Sequence, residues 1–408
     1  MKEIYRTLFD IWKDKMPVIV RRDNPLDAYK GMKPRKIIAV TGLRRVGKTY
    51  MLLQLAGAER GRILYVNFDD ERVPRKTEFL TGLIPAATDM LGKRPDILFL
   101  DELQVMPDWS RWLRRIYDEG EAEIFVTGSS SEISSEEIPY ELRGRSLDVR
   151  IHPLSYAEFL RFKVADPSAA LLEEYLRYGG MPEVVLADES RKFEILLQYY
   201  ASIVQRDIVQ RFKIRETEAL RATLQLLVHS TQYTITKLHH TLGSMGHDVG
   251  KNTVARYVAH TEGAYFLRGV PVFSYKVKDR MKYARKLYFT DTGFVGALTS
   301  GTQWGRISEN AVANHLFRAG EVCYWKDRTG KEVDFVVRDR DKVTALVQSC
   351  WDAWNPDTVE RETSALLKAS TELSCSELLV VTRDRAGTEE RRGKKIRFVP
   401  LGDWLLGA

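Results

Sequence analysis

Gly42 to Thr49 read GLRRVGKT and match the pattern GxxxxGK[ST] in full. Each fixed residue has a chemical task. Gly42 and Gly47 let the backbone curl, so that the N–H groups of Leu43, Arg44, Arg45 and Val46 point inward at phosphate oxygens. The helix that starts at the loop, through Tyr50, adds partial positive charge. Lys48 reaches the β- and γ-phosphates, and the Thr49 hydroxyl ligates Mg²⁺. A second constellation follows at residues 96–104, DILFLDELQ. Asp101 is expected to hold the magnesium through water, and Glu102 to polarise the attacking water as general base. An acid pair that served only to cap the next helix, near Asp108, would not need to follow an apolar strand. Ser129 or Ser130, in the serine-rich turn after Thr127, is expected to sense the γ-phosphate. Arg145, with Arg143 as second choice, is expected to neutralise transition-state charge, in cis or across a subunit interface. Together these residues imply ATP and Mg²⁺ as ligands and ATP hydrolysis as the reaction.

Such chemistry needs a rigid frame. Ile37 to Val40 is a short β-branched run, the pattern of a buried parallel strand. Met51, Leu52, Leu53 and Leu55 supply the apolar positions of the helix after the loop. Strand, glycine-bounded loop and helix is the context that the motif requires. Three more apolar runs, Ile63–Phe68, Ile97–Leu100 and Ile124–Thr127, complete a parallel sheet, with polar residues where α/β sheets place their chemistry. A helix beginning near Asp108 buries Trp109, Trp112, Leu113 and Ile116.

The segments TGLRRVGKT, NFDDER, LDELQ, TGSSS, LRGR with PLSYAEF, and YGGMPEVV resemble a largely archaeal and bacterial family of AAA+-like ATPases. The resemblance runs over nearly the whole chain. It implies an α/β architecture: a P-loop AAA+-like parallel-sheet core over 1–160 and a helical lid over 161–215. A winged helix-turn-helix over 216–275 and a smaller, degenerate restriction-endonuclease-like α/β domain over 276–408 follow. Gly179, Gly180 and Pro182 make a sharp turn in the lid region. A stripe through Leu196, Tyr200, Val204 and Ile208 marks a helix, on which Arg206, Asp207 and Arg211 read as solvated or interdomain charges.

Residues 216–275 carry their own pattern. Leu220, Leu224 and Leu227 form one apolar face; Thr234 caps a short helix with Ile235 and Leu238; and a third helix starts near Lys251 and buries Val254, Tyr257 or Val258, and Thr261. Tyr265–Leu267 and Val270–Phe273 read as a hairpin around Arg268-Gly269. In a winged helix-turn-helix the third helix enters the DNA major groove. Lys251, Asn252 and Arg256 are its expected outward residues, suited to phosphates and base edges. The basic run Lys276, Lys278, Arg280, Lys282, Arg285 and Lys286 extends a phosphate track. So few outward side chains favour recognition of DNA shape, such as a branched junction, over strict sequence reading.

In the last third, restriction-like nucleases are expected to set an aspartate, then Glu or Gln, then a lysine two residues on, around magnesium. Asp334 and Gln348 match, and Glu309 on the preceding helical stretch joins them as a candidate of the same site. The lysine position is Cys350, so the site reads as degenerate and the domain as non-cleaving, with a DNA-holding or structural role. Lys326 and Lys331 are the candidate substitutes.

Bulk properties agree with a soluble intracellular enzyme. The chain has 408 residues and a net charge of +7, mildly basic, which permits a polyanionic partner. No apolar run approaches the roughly 20 residues that span a bilayer, and the charged N-terminus has no signal-peptide core. Cys323, Cys350 and Cys375 are far apart, which argues against a disulfide framework and fits a reducing cytoplasm. The histidines show no metal-ligand spacing. The leading reading is a DNA-dependent ATPase; a regulatory NTPase switch and an ATP-gated nuclease are the alternatives. Oligomeric state is not fixed by the sequence, and a homo-oligomer is required if the arginine acts in trans.

Overall fold

The structure is a computed structural model that describes residues 2–10, 12, 20–128, 142–276, 283–299, 301 and 303–407. The chain divides into two compact units, Met1–His152 and Pro153–Ala408.

The first unit alternates strands and helices: α1 (Lys2–Asp10), β1 (Ile37–Thr41), α2 (Lys48–Ala58), β2 (Ile63–Asn67), α3 (Thr77–Leu91), β3 (Ile97–Asp101), α4 (Trp109–Glu119), β4 (Glu123–Thr127) and β5 (Ser146–Arg150). Its five strands are all parallel, in the order β2-β3-β4-β1-β5. A parallel sheet is covered on both faces, which is why β1 and β3 are buried at every residue and apolar at all but the last, Thr41 and Asp101. The order has one consequence for chemistry: β4 lies between β1, which leads into the phosphate-type loop, and β3, which ends in Asp101. One core joins Ile37, Leu64, Leu98, Leu100, Leu83, Trp112 and Ile116. α1, for which the sequence offered no role, docks on α3 through Tyr5, whose hydroxyl donates to the Phe79 carbonyl at 2.8 Å.

The second unit opens with α5 (Tyr156–Lys163), α6 (Ala169–Tyr178), α7 (Pro182–Leu186) and α8 (Lys192–Ser202), which runs on into a π-helical stretch at Ile203–Gln210. The PLSYAEF segment is a capping box: Ser155 Oγ accepts from the Glu158 N–H at 3.1 Å, and Glu158 Oε2 accepts from the Ser155 N–H at 2.8 Å. The glycine pair has an equally local cause. Gly179 has φ +77°, and a Cβ there would stand 1.7 Å from Asp291 Oδ1. Asp291 accepts from the N–H groups of Gly180 (2.7 Å) and Gly293 (2.9 Å). Asp207, read from the sequence as a solvated or interdomain charge, is buried.

Next come α9 (Thr217–Val228), β6 (Gln232–Tyr233), α10 (Ile235–Ser244), α11 (Lys251–Gly263), β7 (Leu267–Val270) and β8 (Arg285–Phe289), with the strands antiparallel in the order β6-β8-β7. Thr234 caps α10 by accepting from the Lys237 N–H. The expected hairpin is corrected. Arg268-Gly269 is the middle of β7 and not a turn, and the partner of β7 is β8. The second apolar run is drawn away: the Phe273 N–H donates to the Tyr324 carbonyl at 2.6 Å and the Tyr324 N–H to Pro271 at 3.0 Å.

The chain then forms α12 (Gly293–Leu298), α13 (Trp304–Ala319), β9 (Glu321–Lys326), β10 (Glu332–Asp339), β11 (Lys342–Cys350), α14 (Pro356–Glu372), β12 (Leu378–Thr382), β13 (Gly387–Arg391), β14 (Lys394–Pro400) and α15 (Leu401–Leu405). β9, β10 and β11 are an antiparallel meander; β11, β12 and β14 are parallel; β13 closes the edge antiparallel. Among the described residues no helix is long and apolar enough to cross a membrane.

His315 of α13 packs on Trp404 of α15, with ring centroids 4.4 Å apart. Burial lowers its pKa to about 4, with Arg318 adding to the shift. The folded state therefore prefers the neutral imidazole, and the unfolded state binds the proton first. This contribution to stability is complete above the ordinary histidine pKa and is lost as pH falls toward about 4, at a cost on the order of 2 kcal/mol. His315→Gln is expected to flatten the fall in melting temperature between about pH 6.5 and 4. An unchanged acid limb in a melting series would contradict this.

Candidate functional site

The phosphate-type loop is built by steric necessity. Gly42 has φ +141°, and a Cβ there would lie 2.4 Å from the Ile151 carbonyl oxygen, so only glycine fits. Gly47 has φ +100° and is the N-cap of α2 without any side-chain cap, which leaves the first N–H groups of the helix for a ligand. Leu43 and Val46 are fully buried, so these two anchor the loop with side chains and offer only backbone to a ligand. Arg45 sits at φ +64°, and Tyr50 is half exposed. Lys48 is 6% exposed, and its Nζ donates to the carbonyls of Gly42 (3.1 Å) and Leu43 (3.2 Å), inside the curl of the loop. Arg22, which the sequence reading passed over, braces the loop from behind. Its guanidinium donates at 2.8 Å to the carbonyls of Val46 and His152.

Asp101 has no solvent exposure. Its Oδ2 accepts from the Tyr65 hydroxyl at 2.9 Å, and its Oδ1 accepts from the Thr127 hydroxyl. Burial raises its pKa, and hydrogen bonds from Thr127, Thr49 and Tyr65 pull it back down. Thr49, expected from sequence to flank the magnesium with Asp101, thus lies near enough to the acid to lower its pKa. A hydroxyl beside a carboxylate is the hard-oxygen pair that suits Mg²⁺. The glycine cradle, the lysine and this oxygen pair therefore fit a nucleotide with its Mg²⁺.

Glu102 departs from strand geometry. Its φ is +55°, an uncommon conformation for a residue with a side chain. The kink is held from β4, because the Glu102 N–H donates to Thr127 Oγ1 at 2.9 Å. The carboxylate accepts from Gln104 Nε2. Thr127 thus serves both acids, donating to one and accepting from the backbone of the other. The sequence reading looked two residues further on, to Ser129 and Ser130, which lie outside the described residues. The available signal was Thr127 itself, the last polar residue of an apolar strand.

Arg145 is corrected. Its carbonyl accepts from the Ile37 N–H, at the start of β1, whereas the loop follows the end of β1. The strand between them spans about 13 Å. Arg145 also pairs with Asp118 at 3.3 Å. It therefore stands at the opposite edge of the sheet from the phosphate loop of its own chain, and a cis role is excluded.

In the second unit, Lys251, Asn252 and Arg256 are all exposed on α11, while Val254, Tyr257, Val258 and Thr261 face inward. Lys276 is exposed. Lys278 lies outside the described residues. Lys286, read as part of the same basic track, is instead buried at 5% exposure.

Lys286 leads to the third set. Its Nζ lies 2.7 Å from Asp334 Oδ1, 2.8 Å from Glu332 Oε1 and 3.0 Å from Glu309 Oε1. Burial alone would lower its pKa, but Asp334, Tyr288, Glu309 and Glu332 hold it well above the usual lysine value. Glu309 also accepts from the Tyr288 hydroxyl at 2.7 Å. Gln348 accepts from the Asp334 N–H at 3.1 Å and donates to Glu362. Cys350, at the expected lysine position, lies in the apolar core of the six-stranded sheet, and burial raises its thiol pKa to about 11. Of the two proposed substitutes, Lys326 pairs with Glu332 at 2.9 Å and so reaches the margin of the cluster through that carboxylate, whereas Lys331 donates to Ser364. The lysine that meets Asp334 comes from β8, and nothing in residue spacing relates it to Asp334.

Comparison with known family models divides the chain into three segments. Residues 34–160 match the model of an AAA domain. Residues 169–304 and 304–403 match two domains of unknown function, DUF8612 and DUF4143. The uncharacterized protein MJ1544 of Methanocaldococcus jannaschii is 33% identical over 399 residues, covering 91% of this chain and 89% of its own. An uncharacterized protein of Haemophilus influenzae is 29% identical over 345 residues, covering 80% of this chain and 85% of its own. Among solved structures, the Walker-type ATPase PABY2304 of Pyrococcus abyssi superposes with a TM-score of 0.49 at 14% identity, over 69% of this chain and 96% of its own. The chain therefore belongs to the family of MJ1544, and its N-terminal part is an AAA-like P-loop ATPase domain.

Proposed function

We propose that this chain is a DNA-dependent ATPase, which hydrolyses ATP in its first unit and holds DNA on its second. The observation that carries the ATPase half is the continuous set Lys48, Thr49, Asp101, Thr127 and Glu102 along one edge of the sheet. In this reading the N–H groups of Leu43 to Lys48 and the Lys48 ammonium bind the phosphates, and Lys48 exchanges its loop carbonyls for phosphate oxygens. Thr49 and Asp101 would hold Mg²⁺, which supplies charge neutralisation on the β- and γ-phosphates. Glu102, turned off the strand by its left-handed backbone, takes the proton of the attacking water. Thr127 is a positioning residue that fixes Asp101 and the Glu102 backbone together. An arginine acting from Arg145 would have to reach the site of a neighbouring copy, which requires an oligomer.

The DNA half rests on α10 and α11 with the β6-β8-β7 sheet, an order of elements that suits a winged helix. The exposed faces of Lys251, Asn252 and Arg256, with Lys276 on the segment after β7, would track phosphates and groove edges. So short a row favours recognition of duplex shape, with branched DNA as the class to test first.

Lys48→Ala is expected to abolish nucleotide binding. Glu102→Gln should retain ATP and lose turnover by about 100-fold or more. Thr127→Val should lower kcat by about 10- to 100-fold with little change in nucleotide affinity. Equilibrium binding of a fluorescent ATP analogue beside steady-state turnover separates these outcomes, and normal turnover in Glu102→Gln would remove the general-base assignment. For DNA, Lys251→Ala with Arg256→Ala should weaken binding and reduce the salt slope by about 2. ATP turnover that ignores duplex, single-stranded and junction DNA alike would overturn the DNA half and favour a regulatory switch.

A further inference from the structure

The resemblance to restriction-like nucleases implies a divalent ion among Glu309, Asp334 and Gln348. The residues present do not fit one. Both polar atoms of the Gln348 amide are engaged, one by the Asp334 N–H and the other by Glu362. Asp334 Oδ2 accepts from the Ser349 N–H at 3.0 Å. Asp334 Oδ1, Glu309 Oε1 and Glu332 Oε1 converge on one ammonium at 2.7 to 3.0 Å, and the other oxygen of Glu332 is held by Lys326 at 2.9 Å. Among the described residues no group of three or more His, Cys, Asp and Glu is arranged to hold a metal. A divalent ion among those oxygens would sit against a like charge in a site where the Lys286 side chain is only 6% exposed.

We infer that Lys286 is the resident cation of this pocket, its ammonium standing where such carboxylates would otherwise gather a divalent metal. The carboxylates come from α13 and β10, and the lysine from β8 of the smaller sheet. Lys286 is the central residue of that sheet, paired with both Gln232 and Val270. Gln232 reaches one of the same carboxylates, donating to Glu332 at 3.3 Å. The ion cluster is therefore also a pin between the proposed DNA-reading module and the six-stranded sheet, and it keeps the pocket closed to metal-dependent hydrolysis. This inference stands on the ion cluster alone and is independent of whether DNA is the ligand of α11.

The test is Mn²⁺ titration of the full-length, nucleotide-free protein by calorimetry, with melting curves in parallel. Wild type and Asp334→Asn are expected to bind Mn²⁺ identically. Lys286→Met, which removes the charge and keeps the stem, should gain one Mn²⁺ site at least ten-fold tighter than any in wild type. Its melting temperature should rise with Mn²⁺, and adding Asp334→Asn should remove both effects. A wild-type Mn²⁺ site that disappears in Asp334→Asn would overturn the inference, as would a folded Lys286→Met that gains none. Should Lys286→Met fail to fold even with Mn²⁺, the comparison of wild type with Asp334→Asn decides alone: identity supports the inference, and a lost site overturns it.

Discussion

A carboxylate sealed from water is tolerable only when something donates to it, and this chain answers that constraint in three ways. Asp101 is met by the hydroxyls of Tyr65 and Thr127. Hydroxyls can rotate and change partners, so the acid remains available to a metal. Asp334 is met by an ammonium, which adds a full charge and fills the space. Asp291 is met by two backbone N–H groups, which cannot move, and it works as a splice between α6, α7 and α12. One physical requirement thus yields an acid held by hydroxyls at the proposed nucleotide site, a neutralised acid and a structural one.

The first answer depends on the order of strands. Because β4 lies between β1 and β3, its last residue is set between the phosphate loop and the acidic pair. Thr127 is small enough to be buried there and polar enough to bond both neighbours. The left-handed backbone of Glu102 follows, since its N–H must turn toward Thr127 and its side chain must leave the strand. The same order sends Arg145 to the far edge, because a parallel neighbour of β1 starts where β1 starts.

Much of the first unit was legible in the sequence, because its signals are local. Gly42, Gly47, Lys48 and Thr49 lie in one loop, and Asp101 with Glu102 ends one apolar run. What was missed depends on which strands become neighbours. Thr127 matters only because β4 is inserted beside β3, and Arg145 fails as a cis group only because β5 pairs in parallel with β1. The second unit repeats the lesson. Val270 to Phe273 has strand character, but Val272 bridges to Tyr324 and only Val270 belongs to the smaller sheet. Lys286 reads as one of six basic residues in a run, yet alternation along β8 turns it inward with Tyr288 toward Glu309. No spacing rule joins a lysine on one sheet to an aspartate 48 residues later on another.

In the proposed function the divalent ion binds at the phosphate loop and nowhere among the carboxylates of the second unit. A crystal structure of the wild-type protein with Mn²⁺ and a non-hydrolysable ATP analogue, phased at the manganese edge, tests it directly. The predicted anomalous map has one Mn²⁺ peak per chain, beside Thr49 and Asp101, with the Lys286 ammonium still among Glu309, Glu332 and Asp334. A peak among those three carboxylates, or none beside Thr49, would contradict the account.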